Sequence, residues 1–272
     1  MRRKGEDRPA FKIVLYWQQQ IQGGTDVKKR YSLIDAIRGL AVVNMVLYHF
    51  LFDVYILQGF DVGWRSIPAV HIWQQCICWT FILVSGLSFH LSSHRVRHGL
   101  ILNGCGILVT VVTLIAEPEE AIWYGVLTLL GCSLLLATAM KPLLEKIPAV
   151  PGAIVSFGIF LLTRDVQIRW LSFLGEDLYR LPDALYQTNW LTIFGFPRAD
   201  FYSSDYFPIF PGFFLYLTGL FVGRMILKHP PEWLKRKIPV LDWIGRHSLI
   251  IYMVHQPVAM VVSMGVAWIA GR

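Results

Sequence analysis

Apolar runs and polar breaks alternate along the chain. The runs fall at roughly 33–57, 67–91, 99–116, 121–140, 148–163, 207–227 and 243–269. Most approach the ~20 residues that a helix needs to cross a hydrocarbon core of ~30 Å. They predict an all-α fold: a polytopic membrane helix bundle of about seven transmembrane helices. A further apolar stretch, NWLTIFGF (189–196), is too short to cross and reads as re-entrant or interfacial. No internal repeat is visible.

The polar breaks orient the bundle. The first 30 residues carry eight bases, Arg2, Arg3, Lys4, Arg8, Lys12, Lys28, Lys29 and Arg30, against Glu6, Asp7 and Asp26. They hold most of the chain's net charge of +7 and show no cleavable-signal pattern. If this basic tail is cytoplasmic, every second connection should be basic too. Arg95 and Arg97 lie in the second, Lys141 and Lys146 in the fourth, and Arg224, Lys228, Lys235, Arg236 and Lys237 in the sixth. The third, AEPEE, is purely acidic, as an outside loop can be. The N-terminus is therefore expected inside and the C-terminus outside, with one long external loop at about 164–206. That loop is rich in aromatics and carboxylates, a composition that suits either a polar, sugar-like ligand or an interfacial aromatic belt.

Composition narrows the class. Hydrophobic residues make up 55% of the chain and charged ones 16%, against ~25% charged in soluble domains. The basic tail suits lipid headgroups better than nucleic acid, since no nucleic-acid-binding motif accompanies it. Cys76, Cys78, Cys105 and Cys132 lie in apolar runs without zinc-ligand spacing and read as small buried hydrophobes. No metal is expected.

The first apolar run nevertheless contains Asp35, Arg38, His49 and Asp53. At ~100° per residue all four fall within a stripe about 60° wide. A charge facing lipid costs at least ~2.5–3.5 kcal/mol at a helix centre, so the stripe should face protein or a water-filled cavity. Asp35 and Arg38 can pair near the inner surface, where a plain interfacial ion pair is the simpler alternative. His49 and Asp53, four residues apart, can form an imidazole oriented by a carboxylate, as a general base requires. Histidines in membrane helices also serve as ordinary interhelical hydrogen-bond partners; the three other charges on this face favour a functional role. In the last run, Ser248, Tyr252 and His255 form a second polar stripe that Pro257 should end. Arg246 and His247 lie at its cytoplasmic end, where an anion such as phosphate could dock. Two inward polar stripes with arginine at their inner ends imply a transmembrane active site or pathway.

The segments RYSLIDAIRGLAVVNMVLYHFLFD (30–53), FILVSGLSFHLS (81–92), YGVLTLLGCSLLL (124–136), DYFPIFPGFFLYLTGLFVGR (205–224) and IGRHSLIIYMVHQP (244–257) resemble successive blocks of the bacterial branch of the heparan-α-glucosaminide N-acetyltransferase catalytic-domain family. The resemblance spans about residues 30–260 and extends more distantly to other transmembrane acyltransferases. It implies an enzyme of the cell membrane, multi-pass, that takes acetyl from cytoplasmic acetyl-CoA and delivers it to an amino sugar or another envelope glycan acceptor. A histidine within the membrane would act as base or acetyl carrier.

On that reading residues 1–30 are a basic cytoplasmic tail and 31–272 a transmembrane acyltransferase domain. His49 and Asp53 are the expected catalytic pair, with His71 and His255 as alternatives for the histidine. Asp35, Arg38, Arg246, Ser248, Tyr252 and His255 would contact the donor. Acetyl-CoA, the acceptor and the bilayer are the expected partners, with no nucleic acid; whether the chain works alone or as a homodimer is open. The rival readings are a proton-coupled transporter, since such stripes also build proton relays, and a non-catalytic membrane scaffold. A transporter should not bind acetyl-CoA, and a scaffold should tolerate loss of the stripe.

Overall fold

The computed structural model describes residues 31–60 and 63–271, so the expected tail at 1–30 lies outside the described residues. Each of the seven apolar runs is helical. They form α1 Ser32–Phe52, α2 Pro68–Leu87, α3 Arg95–Ala116, α4 Val126–Ala139, α6 Ala149–Thr163, α7 Ile209–Lys228 and α9 Ser248–Ile269. Two short helices join them, α5 Lys141–Leu144 and α8 Pro239–Arg246. Among the described residues six helices are long and apolar enough to cross a membrane. The exception is α4, whose 14 residues reach about 21 Å at ~1.5 Å each; it continues beyond Met140 into α5.

Neighbouring helices run in opposite senses, which collects the charges. The starts of α1, α3 and α9, the end of α2 and the first turns of α4 surround one cavity. The start of α6 and the end of α7 meet beside them with Lys146 and Lys228. The opposite end brings together the ends of α1 and α3 with the 117–122 and 204–205 segments. One end is thus basic and the other acidic.

Glycines let the backbones approach. A Cβ on Gly39 of α1 would lie 2.1 Å from the Leu241 carbonyl oxygen, and one on Gly245 of α8 would lie 1.8 Å from that of Asp35. Gly86 of α2 and Gly219 of α7 are equally closed, against Tyr216 O at 2.0 Å and Leu83 O at 2.1 Å. Gly219 and Gly223 form a small-xxx-small seam of the kind that membrane helices use for close packing. The buried core behind it is Leu129, Leu215, Tyr216, Leu220 and Phe221.

Two sequence expectations change. The run 243–269 is not one helix: His247, at φ −103° and ψ 14°, breaks it between α8 and α9. Pro257 does not end α9, which continues to Ile269. Proline removes a helical donor, and packed membrane helices tolerate that loss. The loop at about 164–206 is folded, with a hairpin of β1 Trp170–Phe173 and β2 Glu176–Arg180 and several 3₁₀ turns, one of them the apolar Asn189–Phe194. It is tied to the 117–124 connection by Tyr202 Oη to Glu120 Oε2 (2.9 Å), Ser204 Oγ to the Glu120 carbonyl (2.7 Å) and Phe207 N to the Tyr124 carbonyl (3.0 Å).

Candidate functional site

Two chambers open between the helices. The inner one, at the basic end, has a volume of about 250 Å³. Its mouth is polar, with Arg38, Ser88, Ser92 and His98; its bore is apolar, with Ile101, Leu127, Leu130 and Leu249; Ser248 and Tyr252 of α9 complete it. Arg38 is held in place. Its Nη1 donates to Asp35 Oδ1 at 2.8 Å and its Nη2 to Ser88 Oγ at 2.7 Å, while Ser88 Oγ donates to the Val84 carbonyl at 2.7 Å. The glycine contact between α1 and α8 sets the position of this pair, because Asp35 is the residue against which Gly245 packs.

The outer chamber, at the acidic end, is smaller, about 80 Å³. His49, Gln74, Glu117, Glu120, Asp205 and Gln256 give it its polar lining. Behind His49 and Gln256 runs a string of side chains from the end of α1 and from α9. The His49 and His255 rings meet edge to face with centroids 4.9 Å apart, and His255 lies 5.3 Å from the Tyr252 ring. Gln256 Nε2 donates to Asp53 Oδ1 at 3.0 Å. Asp53 Oδ2, Gln256 Oε1 and His255 Nε2 are buried without a partner among the described residues. Buried polar atoms are ordinarily satisfied, so this layer holds unspent hydrogen-bonding capacity.

The chambers meet at Tyr252 and Asp205. Tyr252 lines the inner one, Asp205 lines the outer one, and the Tyr252 hydroxyl and the Val126 amide at the start of α4 face the Asp205 carboxylate. Burial pushes the Asp205 carboxyl up to about 6, and these two donors oppose the rise by favouring the charged form.

The residues singled out from the sequence divide accordingly. Arg38, Ser248 and Tyr252 line the inner chamber and His49 the outer; Asp35 braces Arg38, and His255 sits behind His49. Asp53 is fully buried but turns to Gln256 rather than to His49, so its role toward the imidazole is indirect. Arg246 lies on α8, across the His247 break from the α9 stripe. It is exposed, its Nε bonded to the Asp242 carbonyl at 3.2 Å. His71 is exposed in the first turn of α2 and lines neither chamber. Sequence reasoning missed Asp205 and Gln256 as site residues. Asp205 precedes α7, where no helical period marks it; Gln256 follows His255 in the last stripe and was legible there.

No curated protein and no solved structure matches the chain. A family model does, over residues 30–257, under the description heparan-alpha-glucosaminide N-acetyltransferase, catalytic. Those residues contain α1 to α8, the first turns of α9 and every residue that lines the two chambers. With that match covering most of its length, this multi-pass membrane protein belongs to the heparan-alpha-glucosaminide N-acetyltransferase catalytic family, a family of transmembrane acetyltransferases.

Proposed function

We propose that the chain transfers acetyl from acetyl-CoA, admitted at the basic end, to the amine or hydroxyl of a sugar admitted at the acidic end. The observation that carries this reading is the meeting of two chambers, open toward opposite ends, at Tyr252 and Asp205. The basic end is taken as cytoplasmic, which puts the donor in the compartment that holds acetyl-CoA. A polar mouth over an apolar bore of about 250 Å³ suits the slender acylated arm of CoA, with the bulkier nucleotide left outside. Arg38, fixed by Asp35 and Ser88, would hold the arm, and Ser248 and Tyr252 would line its path. Arg246 adds positive charge to the approach.

The chemistry is a single displacement. The acceptor nitrogen or oxygen forms a bond to the thioester carbonyl carbon, the carbon–sulfur bond breaks, and the thiol leaves through the inner chamber. The acceptor's proton goes to a ring nitrogen of His49, which faces the outer chamber. His255 stands behind that ring, and Asp53 with Gln256 fixes the α1–α9 contact that holds both. The expected site is the cell membrane, with an envelope sugar as acceptor.

Purified protein given acetyl-CoA, with and without a panel of amino sugars, should release CoA faster with an acceptor present and yield acetylated sugar. Protein that binds acetyl-CoA at no concentration, yet carries proton-driven flux in vesicles, would favour the transporter reading.

A further inference from the structure

The basic end holds another cavity, of about 260 Å³. Phe89 is its shared wall with the inner chamber. His90, Arg95, Lys141 and Arg224 line it, and Glu145 is its only carboxylate. Both guanidinium groups are fixed in advance. Arg224 donates from Nη1 to the Ile147 carbonyl at 2.8 Å and from Nη2 to that of Leu144 at 3.0 Å, with its Cζ 5.2 Å from the Phe221 ring centroid. Arg95 donates from Nε to the Phe89 carbonyl at 2.9 Å and lies 4.5 Å from the centroid of the Phe89 ring.

Neither arginine is paired with a carboxylate among the described residues. Lys141 reaches Glu145 only at 3.5 Å, through side chains that are both largely exposed, and such a pair is worth little. A guanidinium carries five N–H donors, and most of those on Arg95 and Arg224 are not used by these carbonyls. A carbonyl anchor leaves the positive charge intact, and the phenylalanine ring beside each guanidinium helps to hold it in place. Rigid, unneutralised guanidinium groups converging with an ammonium suit the oxygens of a phosphate ester.

We infer that Arg95, Arg224 and Lys141 form a phosphate-binding site beside the mouth of the inner chamber. Two sources supply that chemistry at this place: the nucleotide phosphates of a CoA thioester whose arm enters past Phe89, and the headgroup of an anionic phospholipid. The first source rests on the acetyl-transfer reading; the site itself does not.

The test uses the full chain purified in neutral detergent, with binding measured for CoA, dephospho-CoA, adenosine 3′,5′-bisphosphate, dioctanoyl phosphatidylglycerol and dioctanoyl phosphatidylcholine. Arg95→Gln and Lys141→Gln are each expected to weaken one of the phosphate ligands about tenfold, the loss of one charge-assisted contact, with Arg95→Lys intermediate. Lost preference for CoA over dephospho-CoA assigns the site to the nucleotide; lost preference for phosphatidylglycerol over phosphatidylcholine assigns it to lipid. Wild-type protein that binds the lipid through Arg95 but never binds CoA would sink the donor reading and leave the phosphate site standing. Affinities for every phosphate ligand that are unchanged in both Gln variants, or absent from the wild type, overturn the site.

Discussion

The Tyr252 hydroxyl of the inner chamber faces the Asp205 carboxylate of the outer chamber, and this pair is where the two spaces touch. A partition built from a hydroxyl and a carboxylate can pass a hydrogen bond from one substrate to the other. Glu117, Glu120, His49 and Gln256 share the outer chamber with Asp205, the Val126 amide faces it from α4, and Cys78 of α2 lies near enough to act on it electrostatically.

Burial raises the Asp205 carboxyl from 3.8 to about 6, so the charged form is the costly one in the folded protein. Stability from this group is fully present below about 4 and is lost as pH rises through about 6, since over that interval the folded state binds the extra proton. Asp205→Asn should therefore raise the thermal midpoint at pH 8 and leave it nearly unchanged at pH 4. Activity should run the other way. The ionised carboxylate holds Tyr252, so kcat/KM should fall as pH drops through about 6, and Asp205→Asn should lower activity and remove that acidic limb. A limb that persists in the Asn variant would assign it to another of the facing groups.

His49→Ala should lower turnover by about 10²–10⁴, the usual worth of a positioned base, with acetyl-CoA binding unchanged. Asp53→Asn should cost less than tenfold, because an amide oxygen still accepts from Gln256 and the imidazole is untouched. Steady-state kinetics beside equilibrium donor binding separate the two effects. Normal turnover in His49→Ala together with inactivity in His255→Ala would move the base to α9.

Much of this arrangement was legible in the sequence. The narrow stripe of Asp35, Arg38, His49 and Asp53 needed only helical periodicity, because α1 runs unbroken from Ser32 to Phe52 and passes directly into a π-helical turn that begins at Asp53. The same reasoning missed the break at His247, since nothing in the hydropathy of 243–269 marks it. It failed for the His49–Asp53 contact because a wheel shows which residues share a face but not which competing partner, here Gln256 on another helix, captures a carboxylate. Asp205 lay beyond its reach altogether. Its place at the chamber junction depends on the loop before α7 returning to the start of α4, a long-range contact without local periodicity.

The glycines of the D-x-x-R-G and I-G-R-H segments should be intolerant for a steric reason. Gly245→Ala places a methyl on the Asp35 carbonyl, at a Cβ separation of 1.8 Å before relaxation, and must push α8 from α1. The expected loss is about 1–3 kcal/mol or more, seen as a lower thermal midpoint in detergent together with weaker donor binding through Arg38. Gly104→Ala, on a face of α3 where a Cβ meets open space, should be neutral or slightly stabilising. Equal midpoints for the two variants would contradict the packing account.

The central claim is that donor and acceptor reach one reaction centre from opposite faces of the membrane. Proteoliposomes with an amino sugar trapped inside and labelled acetyl-CoA added outside test it most directly, with the fraction of protein in each orientation determined independently. The account predicts acetylated sugar in the lumen, in proportion to the protein whose basic end faces out, and none when acetyl-CoA is sealed in with the sugar and only that orientation is present. Product formed only when donor and acceptor share a compartment would contradict it.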